Sequence, residues 1–286
     1  MEISVVIPTC NRAGLLQRCL NLLHPSVQKP TYCSYEIIVT DDSSDIFTKQ
    51  LVTENYPWVK WYAGPGKGPA ANRNNGAARA KGNWIVFIDD DCIPDEHIIR
   101  CYKRAIEQNP DIMAFEGAIL PDNWSLLRRD LSECPVNIGG NLFWSANICI
   151  NAALFWQIKG FNENYRIAAQ EDQQMKLDIV HYKKKEIKFL PQCQVVHPVR
   201  FTSIGRQLKK IPAASKNYAV YAYKNREVLH YENLSAFISE QTKFHLRNAF
   251  RQMKTRKFRS MLVSLAWVVY GVPLNIINLQ KQKGLV

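Results

Sequence analysis

The stretch NWIVFIDDDCIPD, residues 83–95, contains the apolar run Trp84–Ile88, which is followed directly by Asp89, Asp90 and Asp91. The apolar run predicts a buried β-strand. Like charges at the end of a buried strand repel one another in a poor solvent. The three carboxylates therefore lie either on an ordinary solvated turn or around positive charge. A divalent cation is one candidate for that charge, because Mg²⁺ and Mn²⁺ prefer carboxylate oxygens.

Three earlier segments also predict buried strands: ISVVIPT (3–9), YEIIVTDDSSD (35–45) and VKWYAG (59–64). Helical patterns alternate with them, including GPAANRNNGAARAKG (68–82) and DEHIIRCYKRAIEQNP (95–110). Strands that alternate with helices predict an α/β fold with a mostly parallel sheet. Ligands bind at the carboxyl ends of the strands in such sheets.

Polar clusters fall at that predicted edge of the sheet. Thr9 to Arg12 follow the first strand, Asp41 and Asp42 follow the second, and Asp89 begins the cluster after the fourth. Three separate segments therefore bring functional groups to one edge, which favours a binding site over a single solvated turn.

Further candidates lie later in the chain. Glu171 and Asp172 belong to a helical pattern over 168–185, where they are either charges favoured by the helix dipole or a general base. The segment 187–198 predicts two short strands ending at His197, which is either a structural residue or a metal ligand.

Several function classes are disfavoured. GPGKGP (64–69) lacks the Ser or Thr that follows the lysine of a phosphate loop, so it predicts a mobile Gly/Pro loop. PTCNR (8–12) stands where a dinucleotide-binding fold needs glycines. The eight cysteines form no CxxC pair and are interpreted as small buried apolar residues. With no visible secretory signal, a reducing cytoplasm is expected.

Charge is distributed unevenly along the chain. The net charge is +12, yet residues 198–286 hold 16 Lys and Arg against three acids. Residues 1–197 hold 21 Lys and Arg against 22 acids and are nearly neutral. A basic segment of this kind typically meets nucleic acid, anionic lipid or a polyanionic substrate.

The basic segment has two parts. Lys243, Arg247, Arg251 and Lys254 recur at helical spacing and predict one basic face beside an apolar stripe. Residues 260–279 are then free of charge for twenty positions. That length can span a bilayer, but its proline, asparagines and serines favour an interfacial segment, and a helix packed on the rest of the protein remains an alternative.

Six segments, taken in order, resemble the family 2 glycosyltransferases with the GT-A fold. The resemblance covers about residues 3–198 and lies in SVVIPTCNR, EIIVTDDSSD, GPAANRNNGA, WIVFIDDDCIPD, GFNENYRIAAQEDQQMKLDI and FLPQCQVVHP. This chain departs from the family pattern at Ser43–Ser44, at Asn72 and at Asn162. None of these departures removes a proposed catalytic group.

The resemblance implies an α/β GT-A fold, Rossmann-like, with a mostly parallel central sheet flanked by helices. It implies a catalytic domain over residues 1–198, which leaves 199–286 as a basic helical C-terminal region. The implied activity is inverting, metal-dependent transfer of a sugar from a nucleotide-diphosphate sugar, with UDP the commonest choice in the family. The implied acceptor is a hydroxyl of a glycan or lipid-linked molecule. The cofactor would be Mn²⁺ or Mg²⁺.

The resemblance also assigns roles to residues. Asp172 would be the catalytic base, and Asp91 and His197 would hold the metal. Trp144 and Glu171 are the acceptor-side candidates. The donor-binding candidates are Pro8, Thr9, Arg12, Asp42, Arg73, Asp89 and Asp90.

Two alternatives remain beside this reading. A nucleotidyltransferase would also use acids and Mg²⁺, but it would need a Gly-rich basic loop where PTCNR stands. A nucleic-acid-binding protein would use the basic segment, but acids at the sheet edge would repel phosphates in the absence of a metal. We therefore expect no nucleic-acid partner. We expect instead a cytoplasmic protein peripheral at the inner face of the cell membrane.

Overall fold

A computed structural model describes residues 2–29, 34–229 and 233–283. Residues 230–232 and 284–286 of the predicted C-terminal region thus lie outside the described residues. The chain forms two compact units. The sheet unit comprises Met1–Asp122, Pro135–Glu163 and Glu171–Pro198, and the helical unit comprises Asn123–Cys134, Asn164–Gln170 and Val199–Val286.

Four parallel strands form one half of the sheet. They are β1 (Ile3–Thr9), β2 (Tyr35–Asp41), β3 (Val59–Ala63) and β4 (Trp84–Ile88). Strand β1 lies between β2 and β4, and β3 pairs with the outer edge of β2. Every residue of β1 is buried. A parallel strand covered on both faces reads as a continuous apolar run, which is why the sequence revealed these four.

The other half of the sheet is mixed in direction. It contains β5 (Ile93–Pro94), β6 (Ala114–Pro121), β8 (Asn147–Asn151) and β9 (Ile187–His197), and the strand order is β3-β2-β1-β4-β8-β6-β9-β5. Strand β8 is antiparallel to both β4 and β6. The segment predicted as two short strands is one strand, β9, whose register against β6 shifts between Gly117 and Ala118.

Helices cover both faces of the sheet. They are α1 (Ala13–Leu22), α2 (Pro25–Gln28), α3 (Phe47–Asn55), α4 (Pro69–Ala77), α5 (Ile98–Gln108), α7 (Ala152–Gln157) and α8 (Glu171–Leu177). A π-helical turn, Asp178–Tyr182, continues α8, so the helix predicted over 168–185 is shorter than expected. One apolar cluster includes Leu16 and Tyr102, and a second includes Ala70 and Phe155.

The cysteines differ in their surroundings. Cys19, Cys92 and Cys149 are buried thiols, as their apolar context predicted. Cys101 and Cys193 instead form a disulfide that joins α5 to β9. Cytosolic thiols are kept reduced, so in a cytoplasmic protein these two residues would be adjacent thiols. Cys33 lies outside the described residues.

The helical unit is built mainly from long helices. Its elements are α6 (Trp124–Leu127), β7 (Ser132–Glu133), β10 (Arg200–Phe201), α9 (Ile204–Lys224), α10 (Leu234–Lys254), α11 (Phe258–Ala266), a π-helical turn (Trp267–Gly271) and α12 (Val272–Lys283). Ser203 and Asn233 cap α9 and α10 by accepting backbone N–H bonds. Ala219, Phe237 and Leu279 belong to its buried core.

The charge-free stretch lies in a continuous helical segment, Phe258–Gln282. This segment has 25 residues and a mean hydropathy of 1.8, and only 22% of its most apolar window is buried. By length and composition it can cross a membrane. A single helix of this kind is weak evidence, because core helices of soluble proteins meet the same criteria.

Candidate functional site

The carboxyl ends of β1, β2 and β4 meet at one edge of the sheet, because the three strands are parallel neighbours. The last residue of β1, Thr9, donates a hydrogen bond from Oγ1 to Oδ2 of Asp90 over 2.7 Å. Asp90 follows β4 and is fully buried. The polar clusters of two separate segments are therefore in direct contact.

Two arginines supply positive charge among the three aspartates. Arg12 lies 2.7 Å from Asp90 and 3.3 Å from Asp91. Arg73, on α4, lies 2.8 Å from Asp89. Burial alone would raise the pKa of Asp89, but the charge and hydrogen bond of Arg73 hold it below its usual value. The carboxylates are thus not an ordinary solvated turn.

Arg73 also connects the first half of the sheet unit to α8. Its Nη1 lies 3.4 Å from Oε1 of Glu171, and its guanidinium lies 5.5 Å from the centre of the Phe161 ring. Only 4% of Arg73 is exposed. The predicted donor residue Arg73 is therefore buried between Asp89 and the predicted acceptor-side residue Glu171.

Asp91 and His197 form the part of the site that can hold a metal. Nε2 of His197 lies 3.3 Å from Oδ1 of Asp91, although the two residues are far apart in the sequence. The Nδ1 of His197 lies 2.9 Å from the carbonyl oxygen of Pro198, which it can use as a hydrogen-bond acceptor. Such a bond leaves the lone pair of Nε2 facing Asp91. Burial lowers the pKa of His197, so the ring is neutral and suited to ligation.

Cys92 lies in the same cluster of potential ligands, whose ligand atoms are all within 4.8 Å of one another. Burial raises the pKa of its thiol well above the usual value, so the thiolate that binds metals is disfavoured. A carboxylate with a neutral imidazole fits Mn²⁺ or Mg²⁺, and these ions take further oxygens from a substrate diphosphate. The donor set thus fits the predicted cofactor.

Asp172 lies in the first turn of α8. Its Oδ1 is buried and has no hydrogen-bond partner among the described residues. Burial raises the pKa of Asp172, while the charge of Arg73 and hydrogen bonds from Ser145 act in the opposite direction. A buried carboxylate with one unpaired oxygen and a raised pKa is a suitable proton acceptor.

The loop that carries Ser145 is held by Glu116, which the sequence analysis did not identify. Glu116 lies on β6 and is 2% exposed. Its carboxylate accepts hydrogen bonds from the backbone N–H groups of Asn141, Leu142 and Phe143. Trp144 follows in the same loop and packs against the hydrophobic core. The loop next to Asp172 is therefore built around one buried carboxylate.

A cavity of about 350 Å³ lies at the ends of β2 and β3, and Asp42 and Trp61 are among its lining residues. Oδ1 of Asp42 accepts a 2.7 Å hydrogen bond from the backbone N–H of Gly66. Burial raises the pKa of Asp42. A Cβ on Gly64 would lie 2.2 Å from the same oxygen. The loop 64–69, predicted as a mobile linker, thus holds a predicted donor-binding residue.

Asn72 explains one departure from the family pattern. Its Nδ2 donates to the carbonyl oxygens of Thr9 and Thr40, and its Oδ1 accepts from the hydroxyl of Thr40. This buried amide joins the ends of β1 and β2. Pro8, another predicted donor-binding residue, is buried in β1 next to Thr9. The sequence marked Asn72 only as an unusual residue.

Comparison with known families agrees with the fold and the site. The chain belongs to the glycosyl transferase family 2, whose model matches residues 4–159. It is 35% identical over 95 residues to the GalNAc(5)-diNAcBac-PP-undecaprenol beta-1,3-glucosyltransferase of Campylobacter jejuni, a match covering 32% of this chain and 29% of that protein. It is also 35% identical over 120 residues to the poly(ribitol-phosphate) beta-glucosyltransferase of Bacillus spizizenii, covering 39% of this chain and 18% of that protein. The chain therefore spans less than a third of either relative.

Solved structures share the fold. TarS 1-349 of S. aureus in complex with UDP superposes with a TM-score of 0.56 at 15% identity, over 99% of this chain and 92% of that one. The mannosyltransferase PcManGT of Pyrobaculum calidifontis, in complex with GDP-Man and Mn²⁺, gives 0.60 at 14% identity over 94% and 87%. These matches confirm the predicted GT-A fold.

Proposed function

We propose that this protein is an inverting, metal-dependent glycosyltransferase that moves a sugar from a UDP-sugar to a hydroxyl of a glycan or lipid-linked acceptor. The observation that carries the proposal is the Asp91–His197 pair. It lies beside Asp89, which Arg73 connects to α8, the helix of Asp172. The proposal assigns residues 1–198 to catalysis and 199–286 to a basic helical region.

The donor is assigned to the edge of the sheet. Asp42 and the cavity at the end of β2 would take the base, supported by the backbone N–H of Gly66 that already holds the carboxylate. Asp90 would face the ribose or sugar. Further donor contacts are assigned to Pro8, Thr9, Arg12, Arg73 and Asp89. Arg12 is the residue best suited to a diphosphate, because its side chain is 37% exposed and a guanidinium binds phosphate oxygens with two hydrogen bonds.

The metal is assigned to Asp91 and His197. A bound Mn²⁺ or Mg²⁺ supplies positive charge that offsets the negative charge developing on the leaving diphosphate. Asp172 accepts the proton of the acceptor hydroxyl as its oxygen forms a bond to the anomeric carbon. The bond from that carbon to the diphosphate oxygen breaks, and the nucleoside diphosphate leaves with the electron pair. A single displacement inverts the anomeric carbon.

The choice of donor is supported by the structural neighbours, whose bound ligands are UDP in TarS and GDP-Man with Mn²⁺ in PcManGT. The test is a panel of UDP, GDP, dTDP and their sugars, with Mn²⁺ or with EDTA. Selective binding at a hundredfold excess over Kd stabilises the native state by about 2.7 kcal/mol. We expect UDP to raise the melting temperature by several degrees with Mn²⁺ and much less with EDTA. No shift with any nucleotide would contradict the proposal.

Gly64 gives a second test of the donor site. In Gly64→Ala the new Cβ would lie 2.2 Å from Asp42 Oδ1 and 2.5 Å from Asn72 Oδ1, so the loop must move. Overpacking of this kind costs about 1–3 kcal/mol, and we expect UDP to bind about tenfold more weakly. Gly14→Ala is the matched control, because nothing lies within 4 Å of its Cβ. Equal affinities in calorimetry would remove this cavity from the donor site.

We further propose that the helical unit binds the anionic inner face of the cell membrane. On α10, the side chains of Arg247, Arg251 and Lys254 are exposed beside exposed Phe250 and Met253. Apolar burial and attraction to anionic lipid act together on such a surface. A lipid-linked acceptor fits this location, and the printed name of the Campylobacter relative includes an undecaprenol-linked glycan.

Liposome sedimentation tests the membrane proposal. Replacing Arg247, Arg251 and Lys254 by Gln removes about 1 kcal/mol of attraction per charge, which is about a hundredfold in partitioning to phosphatidylglycerol vesicles. The control replaces the same number of charges in the sheet unit, Lys183, Lys184 and Lys185. We expect only the first variant to move from pellet to supernatant. Equal pelleting of both variants would overturn the proposal. Salt-sensitive binding of duplex or single-stranded nucleic acid instead would favour the alternative function.

A further inference from the structure

A second cavity, of about 370 Å³, lies wholly within the helical unit. Residues of α9, α10, the π-helical turn and α12 line it, and none of them is used by the proposed donor site or catalytic base. Its volume lies in the range of about 300–1,000 Å³ that is typical of small-molecule sites. The side chains that matter here are Tyr218, Glu240, Gln241, His245, Trp267 and Asn275.

One wall of the cavity is a flat aromatic surface. The rings of His245 and Trp267 stack with their centres 5.0 Å apart and their planes 4° apart. Trp267 begins the π-helical turn that ends at Gly271. A Cβ on Gly271 would lie 2.1 Å from Cε3 of the indole, so only glycine leaves room for this ring position. The backbone therefore fixes the indole in place, and π-helical turns are frequent at functional sites.

The cavity also contains an unused hydrogen-bond acceptor. Asn275 is 1% exposed, and its Oδ1 is buried with no hydrogen-bond partner in the described part of the chain. Leaving such a group unpaired costs about 1–3 kcal/mol. Nearby, Gln241 donates from Nε2 to the hydroxyl of Tyr218 over 2.6 Å. The polar part of the wall is thus already oriented, except for one oxygen that requires a donor.

Charge restricts what can enter. Burial lowers the pKa of His245 to about 4, so its ring is neutral at pH 7. Glu240 contributes a carboxylate, and no Lys or Arg lines the cavity among the described residues. A phosphate would meet negative charge and an acceptor oxygen, and an alkyl chain would leave Asn275 unpaired. A pyranose ring offers an apolar face to the indole and hydroxyl donors to Asn275 and Glu240.

We propose that this cavity binds one pyranose unit of the glycan acceptor, through stacking on Trp267 and hydrogen bonding to Asn275. The inference rests on the proposed glycosyltransferase function for its link to the acceptor. Recognition by the helical unit would select acceptors by the identity of a sugar ring, separately from the donor.

Calorimetry with four tetrasaccharides tests the proposal: cellotetraose, maltotetraose, mannotetraose and the β-1,4-linked tetramer of N-acetylglucosamine. Nucleotide and metal are left out. We expect at least one to bind with a Kd of about 1 mM or tighter. Trp267→Ala and Asn275→Ala should each weaken that binding about tenfold, whereas Trp267→Phe retains part of it. Val269→Ala is the control, because Val269 lies in the same turn, is 78% exposed and does not line the cavity.

Several results would overturn the proposal. These are the absence of binding by all four tetrasaccharides, equal binding by the Trp267 and Asn275 variants that unfold at the wild-type temperature, or Trp267-dependent binding of tetramethylammonium in place of a sugar. The last result would assign the aromatic wall to a cation. Donor turnover without tetrasaccharide binding rejects the cavity alone. Tetrasaccharide binding without donor turnover rejects the catalytic proposal alone.

Discussion

Asp172→Asn is expected to reduce the turnover number of glycosyl transfer by about 10²–10⁴-fold, the usual contribution of a general base. The amide keeps the shape of the side chain but cannot accept the proton of the acceptor hydroxyl. Asp172 is not part of the proposed nucleotide site, so the affinity for UDP should change by no more than about threefold. Initial rates of UDP release in the presence of acceptor, together with calorimetry of UDP binding, measure both quantities.

The pH dependence of the rate gives a second readout for the same variant. Asp172 acts as a base only when ionised, and burial raises its pKa above the usual value of a carboxyl group. The rate should therefore fall as the pH drops through that pKa, and this acidic limb should be missing in Asp172→Asn. Asp111→Asn, at an exposed aspartate, serves as the control. A full rate or an unchanged acidic limb in the Asp172 variant contradicts its role as the base.

Asp91→Ala is the second change with a large expected effect. It removes the carboxylate that lies 3.3 Å from Nε2 of His197 and leaves the imidazole as the remaining assigned metal ligand. We expect Mn²⁺ affinity, measured with UDP present, to fall by more than about tenfold, and transfer to fall by orders of magnitude. Titration of free Mn²⁺ by electron paramagnetic resonance measures binding independently of activity.

A matched comparison separates ligation from folding. Asp91→Asn retains the size of the side chain and removes its negative charge, so it should lose metal affinity while keeping the melting temperature close to wild type. Asp111→Asn again serves as the control. Unchanged Mn²⁺ binding in both Asp91 variants would show that the ion binds elsewhere.

The sheet was largely predictable from the sequence, for a physical reason. Strands β1, β2 and β4 are buried on both faces, so their apolar residues form continuous runs, and Asp41 and Asp89 mark where the runs end. Strand β9 was harder to predict. Its register shift against β6 depends on pairing with a distant strand, and no local pattern in residues 187–197 indicates it.

The candidate site was predictable as a set of residues but not as a set of contacts. Motif order brought Asp91, Asp172 and His197 into one hypothesis, and the structure adds that Asp91 and His197 are adjacent. The pairing of Arg12 with Asp90 links residues from different strands. The buried amide of Asn72 likewise acts on backbone groups that only the folded sheet brings together.

The central claim is tested most directly by a crystal structure of the protein with UDP and Mn²⁺, using anomalous scattering at the manganese edge. The account predicts one anomalous peak within about 2.5 Å of both a carboxylate oxygen of Asp91 and Nε2 of His197, with diphosphate oxygens completing the coordination. A manganese peak that is bound by the diphosphate but lies away from both side chains would contradict it.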